Sequence, residues 1–143
     1  MVGAIENFDA VVIGAGFSGL YMLKSLRDKS GLKVRVYEAG ETVGGTWYWN
    51  RYPGARCDSD AYIYCFTWDK QLLQEWEWSE RYPEQPEILR YLEHVAKRHD
   101  LKRDIQFNTR GRQCRIRRRN QPVDSAHRQG RRGHGTLSHR SCG

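Results

Sequence analysis

Near the start of the chain, Gly14-Ala15-Gly16-Phe17-Ser18-Gly19 has the spacing that lets a backbone wrap a phosphate. The first glycine permits a tight turn. The second lets the chain approach a pyrophosphate with no side chain between them, and the third lets a following helix pack closely on a preceding strand. The anion would rest on the N–H groups of that helix's first turn, where the helix dipole also favours negative charge. Glu38 stands nineteen residues beyond Gly19. A carboxylate at that distance can accept hydrogen bonds from both hydroxyls of an adenosine ribose, and it disfavours a 2′-phosphate. A glycine-rich turn and a surface glutamate would be the bland account of the same residues.

The elements around these residues decide between the two accounts. Phe8 to Ile13 reads as a short strand, apolar enough to be buried on both faces. After the glycines, Leu20, Leu23 and Leu26 fall on one helical stripe, with Lys24, Arg27 and Asp28 elsewhere, and Ser30-Gly31 ends the helix. Leu32 to Tyr37 alternates as a second strand, with Glu38 at its end. This is a βαβ unit, so its strands are expected to be parallel. Residues 40–68 read as loops with little regular structure. Pro86 to His99 reads as a helix with Ile88, Leu89, Leu92, Val95 and Ala96 on its buried stripe, and Asp104 to Thr109 as a third strand. The expected fold class is α/β, the start of a doubly wound parallel-sheet, Rossmann-like domain. The unit alone does not separate FAD from NAD.

From Gly44 to Asp58 the chain reads GGTWYWNRYPGARCD. Aromatic rings at this density can bury a flat apolar cofactor while their polar tips stay paired. Ordinary core packing for Trp47 and Trp49, a turn-capping role for Asp58 and surface charge for Arg51 and Arg56 are the alternatives. Trp68, Trp76 and Trp78 read as packing residues. The five histidines, His94, His99, His127, His134 and His139, have no metal-ligand spacing, and no metal site is expected.

Together with GAGFSGL (Gly14 to Leu20) and LLQEWEWSERYPEQPEILRYLEHVA (Leu72 to Ala96), that stretch resembles the Baeyer–Villiger flavin monooxygenases, in particular the phenylacetone, cyclohexanone and steroid monooxygenase group. The resemblance covers roughly residues 8–110. It implies that Gly14, Ala15, Gly16, Phe17, Ser18, Gly19 and Glu38 hold the ADP half of FAD. It further implies that Gly45, Thr46, Trp47, Tyr48 and Trp49 lie along the flavin and its ribityl chain, with Tyr64 approaching the same cofactor. Asp58, the one catalytic candidate, would sit beside the isoalloxazine ring and pair with an arginine of a later domain. Arg56 and Cys57 would lie near the nicotinamide of NADPH. The implied reaction consumes NADPH and O₂ and inserts one oxygen next to a ketone carbonyl, giving an ester or lactone.

The last 33 residues differ in kind. Residues 1–110 hold 15 Lys and Arg against 16 Asp and Glu, whereas residues 111–143 hold nine Arg, no Lys and a single acid, Asp124. The whole net charge of +7 therefore arises in this tail, which also lacks every one of the 17 aromatic residues. Low hydrophobicity with high charge predicts disorder for 111–143, against a partial FAD-binding domain over 1–110. The family's second dinucleotide motif, for NADPH, is absent. A back-translation of the tail read one base forward yields a family-like peptide with an acidic turn and alternating strands, so an out-of-frame origin is expected and the chain as written is expected to be inactive. Two other accounts stand beside this: a stand-alone FAD- or ADP-binding module, and a basic nucleic-acid-binding arm. The second is disfavoured because the tail has no aromatics to stack on bases and no known module. Cys57, Cys65, Cys114 and Cys142 form no C-x-x-C pair, which points to free thiols in a cytoplasmic protein. No apolar run is long enough for a membrane span.

Overall fold

A computed structural model of the chain describes residues 6–115 and 124–129. Strand β1 (Ala10–Ile13) pairs in parallel with β2 (Val34–Tyr37), Ala10 opposite Val34 and Ile13 opposite Tyr37. In turn, β2 pairs in parallel with β3 (Ile105–Gln106), Val36 opposite Ile105. The sheet order β1-β2-β3 puts the strand carrying Glu38 at its C-terminal end in the middle. Helix α1 (Phe17–Lys24) makes the crossover from β1 and runs on into a π-helical turn, Ser25–Lys29. Gly31, at φ 66°, stops it: its N–H donates to the Arg27 carbonyl and that of Leu32 to the Leu26 carbonyl, the paired bonds of a left-handed helix end.

The core lies between α1, the sheet and helix α4 (Gln85–Arg98). Leu20 and Leu23 of α1, Val36 of β2 and Ile88, Leu92 and Val95 of α4 are fully buried. Each such side chain contributes roughly 1.5–3 kcal/mol by leaving water. Of the expected α4 stripe, Ile88, Leu92, Val95 and Ala96 are buried, Leu89 is only half-buried, and Tyr91 is added. Two short helices fill the long connection before α4. These are α2 (Thr46–Trp49) and α3 (Lys70–Glu75), the latter capped by Asp69, whose Oδ1 accepts the Leu72 N–H at 3.0 Å.

Two sequence expectations need correction. β1 was expected to be buried on both faces, but it is the outer strand of the described sheet and its last residue, Ile13, is 66% exposed. Residues 40–68 contain the α2 turn, because Gly44 and Gly45 take left-handed φ values of 141° and 54° and so turn the chain directly into it. Past the sheet, β4 (Thr109–Arg115) and β5 (Asp124–Gln129) pair antiparallel, Thr109 opposite Gln129 and Arg115 opposite Asp124, with an irregularity between Gly111 and Gln113. A two-stranded ribbon is joined by backbone N–H and C=O groups, which an arginine-rich composition leaves intact. The rest of the tail, and the disorder expected of it, lies outside the described residues.

Candidate dinucleotide site

Glu38 anchors the site. It is only 4% exposed, and both carboxylate oxygens accept backbone N–H groups: Ala15 N–H at 2.6 Å on Oε2 and Gly40 N–H at 2.7 Å on Oε1. Charge-assisted bonds of this kind are what a buried carboxylate requires. The Glu38 backbone is clamped between strands, donating to the Gln106 carbonyl and accepting the Thr109 N–H. An ionised carboxylate has about four acceptor directions, so two remain for hydroxyl donors.

The glycine loop is folded onto this anchor. Gly14, at φ 91°, donates its N–H to the Tyr37 carbonyl at 2.8 Å. A Cβ on Gly19 would lie 1.9 Å from the Gly14 carbonyl oxygen, so the third glycine exists for helix-on-turn contact. A Cβ on Gly16 would lie 3.3 Å from Gly45 Cα, and the Gly44 N–H donates to the Ala15 carbonyl at 3.0 Å. The second glycine pair, Gly44-Gly45, therefore rests against the first loop. Gly16 caps α1 in an extended conformation and provides no side-chain acceptor, and the first-turn N–H groups of Phe17, Ser18 and Gly19 have no carbonyl within the helix to bond. An uncapped helix start, a bare glycine cradle and a carboxylate beside it make a donor set suited to the pyrophosphate and ribose of an ADP group.

Aromatic residues wall one side. The Phe17 ring lies 4.7 Å from Tyr64 and 4.9 Å from Phe66, centre to centre. The Trp47 indole N–H donates to the Tyr64 hydroxyl at 3.0 Å, with the two rings close to perpendicular. Tyr48 packs against Gly40: a Cβ there would meet its ring at 2.8 Å and Glu38 Oε1 at 3.2 Å. Arg51 stacks on Tyr48 at 4.5 Å and donates to its carbonyl.

Gly14 to Gly19, Glu38, Gly45, Trp47, Tyr48 and Tyr64 thus come together. Five other candidates lie differently. Thr46 is exposed and Trp49 is 56% exposed, at the outer end of α2. Asp58 is exposed, with the Ser59 hydroxyl at 3.5 Å. Arg56 is half-exposed and pairs with Glu80 and Glu84. Cys57 is buried, its N–H bonded to the Pro83 carbonyl. Sequence reasoning missed Gly40, Gln85 and Tyr91. The Gln85 side-chain amide donates to the Trp47 carbonyl, and the Tyr91 hydroxyl accepts the Phe66 N–H at 2.8 Å. Burial pushes the Tyr91 hydroxyl up to about 12. Gly40 had a legible sign, a glycine two residues past the acidic strand end; Gln85 and Tyr91 act through tertiary contacts that no spacing encodes. Among the described residues no cluster of His, Cys, Asp or Glu could hold a metal ion, and no helix is long and apolar enough to cross a membrane.

A βαβ unit with this loop defines the class, and residues 12–76 match the NAD(P)-binding Rossmann-like domain. The chain is 52% identical over 103 residues to a phenazine N-monooxygenase, PhzNO1, of Lysobacter antibioticus, and equally so to the cyclohexanone 1,2-monooxygenase of an Acinetobacter species; each match covers 72% of this chain and 19% of the relative. A solved structure of an oxidised steroid monooxygenase bound to NADP superposes with a TM-score of 0.74 at 55% identity, over 76% of this chain and 21% of that one. Over this shared stretch the chain is similar to Baeyer–Villiger monooxygenases, one of Pseudooceanicola batsensis at 53% identity among them, and it spans about a fifth of the length of the curated relatives it matches.

Proposed function

We propose that this chain carries the FAD-binding start of a monooxygenase that uses NADPH and O₂ to convert ketones into esters or lactones. The observation that carries the reading is the joining of Glu38 to the glycine loop: the carboxylate that would take the ribose hydroxyls is bonded to Ala15 N–H, next to the bare α1 terminus that would take the pyrophosphate. Residues 1–110 would form this partial domain. Bound FAD supplies redox and oxygen chemistry that no side chain here possesses. The chain's own part is to hold and orient it. Gly14, Ala15, Gly16, Phe17, Ser18, Gly19 and Glu38 would grip the ADP half, and Gly45, Thr46, Trp47, Tyr48, Trp49 and Tyr64 would line the remainder. Asp58, exposed here, would act against groups outside this stretch, as would Arg56 and Cys57 toward the nicotinamide of NADPH. The sequence has one glycine motif of this kind, so the main NADPH site would lie elsewhere in a longer protein. A cytoplasmic location belongs to the same proposal, with Cys57 and Cys65 as free thiols.

The phenazine N-monooxygenase among the relatives favours a second reading for the oxygen acceptor, a ring nitrogen in place of a ketone. The test of the cofactor is direct. Purified chain incubated with FAD and desalted should keep flavin absorbance, ADP should compete, and Gly16→Val should abolish retention. Stoichiometric FAD on Gly16→Val would refute the site. The reading frame of residues 111–143 is part of the proposal: resequencing the coding DNA across Asn108 to Arg115 should show a one-base change, and unaltered DNA would remove the out-of-frame account. In the longer, frame-restored protein, turnover of a cyclic ketone against a phenazine separates the two acceptors.

A further inference from the structure

Away from the glycine loop, one nitrogen faces two incompatible partners. His99 Nε2 lies 3.4 Å from the indole nitrogen of Trp68 and 3.2 Å from Asp69 Oδ2. An indole N–H can only donate, so it needs a lone pair on Nε2; a carboxylate can only accept, so it needs a proton there. Both demands cannot be met at once, and the protonation state of the imidazole decides which contact is made.

We propose that His99 is a proton-operated contact switch, bonded to Trp68 when neutral and to Asp69 when protonated, with its state passed through stacked rings to the glycine loop. The relay is short. Trp68 stacks on Phe66 at 4.0 Å, and Phe66 meets Phe17, inside the loop, at 4.9 Å. Trp68 also stacks on the exposed Tyr21 of α1 at 5.5 Å.

The charges around His99 come from three elements. From α1 and its π turn, Lys24 stands 5.9 Å over the Trp68 ring, Asp28 pairs with Lys24, and Arg27 donates to the His99 carbonyl at 2.8 Å and pairs with Asp104. From α4, Arg98 holds Asp69 Oδ2 at 2.8 Å and Glu75 at 2.7 Å. From the start of α3, Asp69 brings Oδ2 to 3.2 Å from the imidazole nitrogen. Burial first, then Lys24, hold the imidazole below its ordinary range, while Asp69 opposes them. The neutral, Trp68-bonded state is therefore the one at neutral pH. On acidification the imidazolium competes with Arg98 for the same Oδ2, while Oδ1 keeps its cap on α3.

The test is an NMR titration of the full chain between about pH 5 and 8, the range in which histidine titrates. The Trp68 indole N–H and the His99 ring should shift with one shared midpoint, below that of an ordinary histidine. The Phe17 amide should follow with the same midpoint. His99→Gln should flatten both responses. Asp69→Asn, which keeps a capping side chain, should lower the midpoint by removing the charge that favours the imidazolium. A Trp68 indole that stays flat while His99 titrates overturns the switch, as does an unmoved midpoint in Asp69→Asn. A moving Trp68 with a flat Phe17 overturns the relay. The wild-type titration alone decides the first point, whatever the variants' stability, and no FAD is needed.

Discussion

Replacing Gly19 with alanine sets two effects of opposite sign against each other. In a helix interior, alanine is favoured over glycine by about 1 kcal/mol. Here the new Cβ would lie 1.9 Å from the Gly14 carbonyl oxygen and 2.9 Å from its carbon, where an ordinary contact begins near 3.4 Å. The Gly14 peptide has little room to retreat, because the Gly14 N–H is bonded to Tyr37 and the Ala15 N–H to Glu38. Overpacking that displaces backbone costs roughly 1–3 kcal/mol or more. The clash should win, with a net loss on the order of 1–2 kcal/mol. Gly16→Ala makes the control: its Cβ meets Gly45 Cα at 3.3 Å, a contact relieved by a few tenths of an ångström, so stability should change by less than about 1 kcal/mol. Urea unfolding followed by tryptophan fluorescence reads both, with an unchanged m-value as the sign that only stability moved. FAD retention should fall in Gly16→Ala although the fold survives. Gly19→Ala as stable as the wild type would show that the close packing of α1 on the turn is not what the third glycine is for.

Other perturbations follow from single contacts. Tyr91→Phe keeps the ring but leaves the buried Phe66 N–H without its acceptor, and should lose about 1–3 kcal/mol in urea unfolding. Asp100→Gly should gain about 0.5–1 kcal/mol in the same assay, because Asp100 sits at φ 47° at the end of α4 with only an exposed bond to Arg103 to lose. Asp28, held at about 2 by its hydrogen bond to Arg27, contributes stability above its ordinary value of 3.8 that disappears as pH falls toward 2. Acid unfolding of Asp28→Asn should lack that part of the pH dependence. Asp58→Ala should leave the stability of this chain within about 0.5 kcal/mol, since the exposed carboxylate touches only Ser59 among the described residues; in a longer, active protein it should keep FAD yet slow turnover.

The legible parts of the fold were those governed by local period and by glycine. The α1 stripe of Leu20, Leu23 and Leu26, the α4 stripe from Ile88 to Ala96 and the parallel pairing of β1 with β2 follow from side chains whose spacing matches 3.6 or 2 residues. Glu38 was placed as an acceptor near the glycine loop, but its own bonds to Ala15 and Gly40 were not foreseen, because they depend on how tightly the loop closes over the sheet. The exposure of Ile13 was missed for a similar reason: an apolar run looks alike whether its strand is inner or outer. The pairing of β4 with β5 eluded composition altogether, since strand ladders are made by backbone atoms that every residue but proline carries in full.

Helix α4 gives the candidate site a mechanical property of its own. Gln85 bonds the α2 turn through Trp47 and donates its N–H to Ala55, Glu87 takes the N–H and hydroxyl of Ser79, Tyr91 holds Phe66, Glu93 takes the Thr42 hydroxyl and Arg98 holds Asp69. Six points of the chain between Thr42 and Ser79 are thus pinned along one 14-residue rod. Such segments would ordinarily open one at a time, each with its own small free energy. Tied to a common buried helix, they are coupled into one opening unit. Their slow amides, Phe66 and Ser79 among them, should exchange with deuterium at the rate of α4 itself, so that an event loosening the helix releases the loops together.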